Sequence, residues 1–561
     1  MFPLSASQQI VWLQQKVVPD SRAYHATAVV DFHGEIQPKV LRQCVSDAVG
    51  RHDAMRIRIC DEGSAIAFQE VVESLDIEIP EYDLRGAEDP EERRAELLRG
   101  QVLAEFDLRN APLARWTLVR LGDGHWQLFM TEHHLVHDGR STVEFLAGVF
   151  RQYAAEVTGG EFVAEAAPSY EEYVAHTNSD EYRARVAADV AWWADRLEGA
   201  RFTVDFPGIG TRRSALFDHR GGQFRQAVPA DLMARVSAAA QEGGHTVFAT
   251  LLAVYAELCR RHSGQNDLVI GMPFANRPPG FERTVGMMVG AVPLRLAIDP
   301  DAPGGDVATE AMEAIFDAID HESAPIQELV KATKRSSKGL GNPLFNIMFA
   351  MHDAPCPPMD APGLSVDMQI AVGANSTKFD LSVVVMPGKV LHGTGGEHGY
   401  ELVWEYSTQV FAPEHVELLA TGFETLLRAY VAQPHEPIGS LAPTVVAPPA
   451  DDDRAAGQVP AAAAADVEPP AAAARPAGGG AGSDSLWLQA FRHILERDDI
   501  DEDDDFFQVG GYSLLVPMLL SHYESLAGWR PPTSLVFEFS SPLELEAASA
   551  EHLRQPSGVQ G

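Results

Sequence analysis

Over about the first 440 positions, apolar residues recur in two rhythms, one with helical spacings of three and four and one of short strand-like runs bounded by turn residues. The helical rhythm predicts helices over Ser7 to Val17, Pro38 to Arg51 and Ser141 to Gln152, and another opening near Thr246, whose hydroxyl suits an N-cap. Strands are predicted over Ala26 to Phe32, His125 to Thr131, Leu268 to Met272, Val289 to Leu296, Leu344 to Met351, Phe379 to Met386 and Glu401 to Tyr406. The alternation points to an α/β fold of mixed sheets with covering helices. So long a stretch exceeds what one core usually holds, so two lobes are expected, over 1–176 and 177–440.

Both rhythms stop near Ala442. From there to Ser483, alanine, proline, glycine and a few acids replace them, and a segment of that composition builds no core. Residues 441–483 therefore read as a flexible tether. Patterning resumes over 484–556 with a helix from Ser485 to Glu496 and another after Ser513, as in a small all-α domain. The acidic run Asp501 to Asp505 reads as a solvated loop.

Charge narrows the partners. With 43 Lys+Arg against 80 Asp+Glu the formal net charge is −37, which argues against nucleic acid or an anionic membrane as the main partner. No stretch has transmembrane length, and the start MFPLSASQQIVWLQQ lacks the basic region and long apolar run of a secretory signal. Cys44, Cys60, Cys259 and Cys356 are scattered without metal or disulfide spacing. A cytoplasmic protein is expected.

The candidate chemistry lies in His133-His134-Leu135-Val136-His137-Asp138-Gly139. Gly122-Asp123-Gly124 precedes the strand leading to it and a helix follows, so the run occupies a strand–loop–helix junction. Strand side chains alternate between faces, so if the strand continues through them His133 and His134 cannot both enter one cleft; one is expected to act and the other to support. Satisfied core histidines are the plainest alternative. A metal site is the other, but adjacent histidines on opposite faces chelate poorly and the helical H-E-x-x-H spacing is missing, so no metal is expected.

The run resembles the HHxxxDG signature of condensation domains of nonribosomal peptide synthetases, within the chloramphenicol acetyltransferase-like superfamily. Other segments resemble that family's motifs in the same order: PLSASQQIVWL, Arg51 to Arg56, Gly271 to Arg277, Val285 to Arg295, Asn342 to Phe349 and Lys378-Phe379-Asp380-Leu381. The resemblance covers nearly all of residues 1 to 440. It implies two acetyltransferase-like lobes in a V with the histidine motif midway along a tunnel, where an acyl thioester on an upstream donor carrier protein meets an amine. In that reading His134 faces the reaction, as base or positioner, with His133 beside it; Asp138 pairs with Arg277 across the lobes, and Gly139 leaves room beside the substrate. Two departures bear on the acceptor. Gly290 stands where these domains commonly have Asn, and Arg140, where an apolar residue is usual, is expected to bring a cation near the tunnel. An ester-forming acyltransferase, or a non-catalytic platform recruiting a tailoring enzyme, stays open beside amide formation.

Asp504 to Leu515 (DDFFQVGGYSLL) resembles the attachment site of peptidyl carrier proteins, which implies a four-helix carrier domain with 4'-phosphopantetheine on Ser513. Gly510-Gly511 allows a tight turn, and a serine opening a helix suits a phosphodiester, although an ordinary serine cap gives the same local pattern. Pro517 and Tyr512 depart from the usual pattern. The resemblance implies a phosphopantetheinyl transferase as partner and, because only the tether stands where an adenylation domain usually lies, a loading enzyme acting in trans.

Overall fold

The computed structural model describes the chain except for residues 62–66, 211–216, 335–340, 353–355, 360, 393–398, 445–484, 496, 507–508, 510–515, 533–534, 537–538 and 553–561. Local chemistry sets the helix starts. Ser5 and Gln8 form a reciprocal capping box ahead of the helix Ala6–Val17, and the Thr246 side chain accepts the Ala249 N–H at 3.0 Å to open the helix Val247–Ser263. Helices at Pro90–Leu103, Asp180–Arg196 and Pro413–Ala432 join those expected from the apolar rhythm.

Two larger sheets organise residues 1–444. The first has five strands in the order Ser365–Gln369, His25–His33, His125–His133, Ala114–Gly122 and Glu81–Asp83. In the second, six strands run Gly290–Ala297, Asp267–Phe274, Ile347–Met351, Leu381–Pro387, Tyr400–Ser407 and Gly221–Val228. A three-stranded sheet of Phe2–Pro3, Phe68–Val71 and Ile57–Cys60 flanks the N-terminal half.

Backbone pairing and a shared core both join the halves. Ser365–Gln369, which lies between two strands of the six-stranded sheet in sequence, pairs antiparallel with His25–His33 and forms the edge of the five-stranded sheet. A single hydrophobic cluster also runs through both halves and includes Phe32 and Trp116 with Trp193, Tyr255 and Trp404, all nearly inaccessible to solvent. Folding thus removes apolar surface from water across the junction as well as within each half.

After residue 484 the described helices are Leu486–Leu495, Val516–Ala527 and Pro542–His552. They share a small core of Trp487, Phe491, Phe506, Leu519, Leu520 and Leu545. The expected tether falls almost wholly outside the described residues, and so does Ser513. Among the described residues no helix is long and apolar enough to cross a membrane.

Candidate active site

The strand leading to the histidines runs His125–His133, two residues further than its apolar pattern suggests. It then breaks. The His134 N–H donates to the Tyr24 carbonyl at 2.9 Å, and the Val136 N–H turns back to the His133 carbonyl at 3.0 Å. Asp138 caps the helix Gly139–Thr158, its carboxylate accepting the Ser141 N–H at 2.9 Å. The end of a strand and the start of a helix thus fix the loop from both sides.

The two histidines go different ways. His133 is buried; its Nδ1 accepts the Leu135 N–H at 3.2 Å, and its ring packs edge-on against His25 and Phe106. His134 lines a cavity of about 890 Å³ whose wall comes from both halves of the chain. Its Nδ1 lies 3.3 Å from the His137 carbonyl oxygen and its Nε2 3.4 Å from Lys378 Nζ. A carbonyl only accepts, so the ring proton sits on Nδ1 and the Nε2 lone pair faces the lysine. Burial, with the Lys378 ammonium next, holds His134 well below the usual imidazole range. The resting side chain is a neutral acceptor aimed into the cavity.

Lys378 is unusual in its own right. It is half-buried, its ammonium lies 5.6 Å over the Tyr24 ring, and it shares the cavity wall with Glu405. Burial lowers its pKa, with Glu405 opposing; burial raises that of Glu405, with Lys378 opposing. On the other side of His134, the buried His137, also in the cavity wall, contacts Glu132 at 2.9 Å and Thr142 Oγ1 at 2.8 Å through Nδ1, while its Nε2 is buried without a hydrogen-bond partner among the described residues.

Asp138 ties the halves together. Arg277, in the loop after the strand Asp267–Phe274, donates from both terminal nitrogens, at 2.8 Å to Oδ1 and 3.1 Å to Oδ2. The Met288 and Val289 N–H groups add contacts to Oδ2 at 3.0 and 3.1 Å. Side-chain exposure is only 6% for the arginine and 1% for the aspartate. Burial alone would raise the Asp138 pKa, but Arg277 and Ser141 together bring it below the usual carboxylate value. Ser141 Oγ adds a contact of its own, donating to the Gly286 carbonyl at 2.8 Å.

Other expected positions behave differently. A side chain on Gly139 would bring its Cβ within 2.7 Å of the His352 ring, so the immediate neighbour of this glycine is an imidazole in the cavity wall. Gly290 does line the cavity, and a Cβ there would meet nothing nearer than Asn276 Nδ2 at 4.0 Å. Arg140 does not bring a cation to the tunnel. It is exposed and pairs with Glu144 one helical turn on, at 3.1 Å, because the first turn of the helix points it outward; the cation beside His134 is Lys378. Lys378 appears in the sequence only as the head of a KFDL run, and its placement against His134 depends on the halves coming together.

Residues 1–445 match the Condensation domain family. The chain is 28% identical over 443 residues to phosphinothricin tripeptide synthetase PhsC of Streptomyces viridochromogenes, covering 77% of this chain and 39% of that one. It is 27% identical over 446 residues to malpinin synthetase of Mortierella alpina, covering 78% and 6%. It thus spans well under half the length of these curated relatives. The fold is similar to the starter condensation domain of rhizomide synthetase RzmA, with a TM-score of 0.69 at 20% identity over 79% of this chain and 97% of that one. The first condensation domain of the CDA synthetase gives 0.65 at 20% identity, over 79% and 98%.

Proposed function

Through residues 1–445 the chain belongs to the condensation domains of nonribosomal peptide synthetases, and we propose that it joins an acyl or peptidyl thioester, borne by an upstream donor carrier protein, to an amine. The observation that carries this reading is the His134 Nε2 lone pair, held neutral and aimed into a cavity walled by both halves. The amine attacks the thioester carbonyl while one of its N–H groups takes the place of Lys378 at the Nε2 lone pair, which directs the nitrogen lone pair at the carbon. As the C–N bond forms, negative charge gathers on the former carbonyl oxygen, and the Lys378 ammonium, 3.4 Å from Nε2, lies close enough to stabilise it. The amine nitrogen of the adduct is now acidic enough to give its proton to His134. Cleavage of the C–S bond restores the carbonyl, and the departing thiolate takes that proton.

The acceptor, in this proposal, is an aminoacyl group on the C-terminal domain, carried by 4'-phosphopantetheine on Ser513. In the sequence Ser513 precedes by three residues the helix Val516–Ala527, and a serine opening a helix suits a phosphodiester. A phosphopantetheinyl transferase would install the arm and an adenylating enzyme in trans would load it. The tether would then hold the acceptor at an effective concentration of order mM.

The test supplies a donor thioester on a separate carrier, with amine and alcohol acceptors in parallel, and follows products by mass spectrometry. Amide from the amine, reduced about 10²-fold or more in His134→Ala, is the expected result. Faster ester formation from the alcohol would overturn the amide assignment, and equal turnover by wild type and His134→Ala would leave a non-catalytic recruitment platform.

A further inference from the structure

A second group of histidines lies at the far end of the strand that carries His133. Strand register brings it together. His33 pairs with His125 across adjacent strands, and Asp31 pairs with Asp367 on the crossover strand Ser365–Gln369. Positions 31 and 33 are two apart, so their side chains share one face of the sheet with those of His125 and Asp367. One ligand atom from each of Asp31, His33 and His125 falls within a 4.8 Å cluster. His125 Nε2 contacts Asp31 Oδ1 at 2.8 Å, and His33 Nε2 lies 3.4 Å from Asp367 Oδ2. His392 follows on the short helix Gly388–His392, its Nδ1 3.1 Å from the other Asp367 oxygen.

We propose that Asp31, His33 and His125, completed by Asp367, bind one zinc-class divalent cation that pins the crossover strand to the N-terminal sheet. Four observations support it. The donors are two imidazoles and two carboxylates, a mixed nitrogen and oxygen set of the kind that suits zinc better than calcium or magnesium. With neutral imidazoles the cluster carries two negative charges, which a dication would neutralise. Supporting contacts are in place: Gln127 Nε2 donates to Asp31 Oδ2 at 3.0 Å, and His392 holds the free oxygen of Asp367. Access is open too, since the side chains of His33, His125 and Asp367 are 47%, 37% and 42% exposed.

The site is distinct from the catalytic cavity. His125 and His133 lie at opposite ends of one strand, about 27 Å apart at the rise of an extended chain. None of the four ligands lines the cavity. Its effect would be mechanical: Asp31, His33 and His125 belong to the first sheet, whereas Asp367 arrives on chain that has already passed through the second.

The untagged full-length chain, stripped with chelator and exchanged into buffer, is titrated with zinc against a chromophoric competitor. Amide hydrogen exchange over 365–369 is followed with and without the metal. The expected result is one equivalent of zinc, lost in His33→Ala and in His125→Ala, weakened at least 10-fold in Asp367→Asn, and accompanied by slower exchange over 365–369. Circular dichroism and transfer activity equal to wild type in the metal-stripped variants would show that they are folded. Failure to bind one equivalent, or equal binding by His33→Ala and His125→Ala, would overturn the site. Unchanged exchange over 365–369 would overturn the pinning.

Discussion

Lys378 governs what His134 can do. Burial comes first, and the ammonium 3.4 Å from Nε2 adds its own penalty on imidazolium, so the histidine stays an acceptor in acid where an unperturbed imidazole would already be protonated. Lys378→Met removes that penalty and raises the His134 pKa, and the acid limb of kcat/KM should move to higher pH. The same variant loses the charge facing the developing oxyanion, so kcat at the plateau should fall by about 10²-fold. A pH–rate profile reads both effects, and a merely structural lysine would leave the limb where it was. Gly290 makes the opposite kind of contribution, by omission. With 4.0 Å to its nearest neighbour there is room for a side chain. Gly290→Asn should fold normally, narrow the cavity and raise KM for bulky donors more than for small ones.

Among elements, the helix Gly139–Thr158 has its first turn and its interlobe lock made by one residue. Asparagine caps helices as well as aspartate does but cannot balance a buried guanidinium. Asp138→Asn should therefore keep the helix and lose about 3–5 kcal/mol, measured as a lower denaturant midpoint. The pH dependence has a definite sign. The Asp138 carboxyl is held below its unfolded value, so its stabilisation is complete above the ordinary carboxylate pKa and fades as the solution becomes more acid. The variant should show a flatter acid limb of stability against pH.

Element boundaries also show what a sequence can disclose. The strand His25–His33 and the helices Ala6–Val17 and Pro38–Arg51 lie within a residue or two of their patterns, because a half-buried element writes its period into its own residues. The strand Ser365–Gln369 left no such mark. Its five residues, SVDMQ, are only partly covered, and their partner lies more than three hundred residues upstream. The helix Asp180–Arg196 was hidden by its own charge, with few buried positions to set a period. At the site, HHLVHDG was legible as a constellation because its members are neighbours in the chain. Lys378 against His134, and His33 against His125, are products of register and lobe packing that no local spacing encodes.

At the scale of the whole molecule, the role proposed for the C-terminal helices is to bring the acceptor to the cavity. If Ser513 carries a pantetheine arm, intact mass after treatment with coenzyme A and a phosphopantetheinyl transferase should rise by one arm in the wild type and stay unchanged in Ser513→Ala. A chain able to condense but not to hold its acceptor would still process a free amine thioester, so Ser513→Ala should retain turnover with the free acceptor and lose it with one loaded on the chain. The crossover strand has a different consequence, for anyone who would cut or recombine this protein. Taken alone, residues 1–176 would leave His25–His33 as a bare sheet edge, nine residues long and mostly apolar, with unpaired N–H and C=O groups on offer to any other chain. A fragment ending there is a template for aggregation, and an exchange of halves between related enzymes succeeds only if the donor of the first half also supplies the five residues at 365–369.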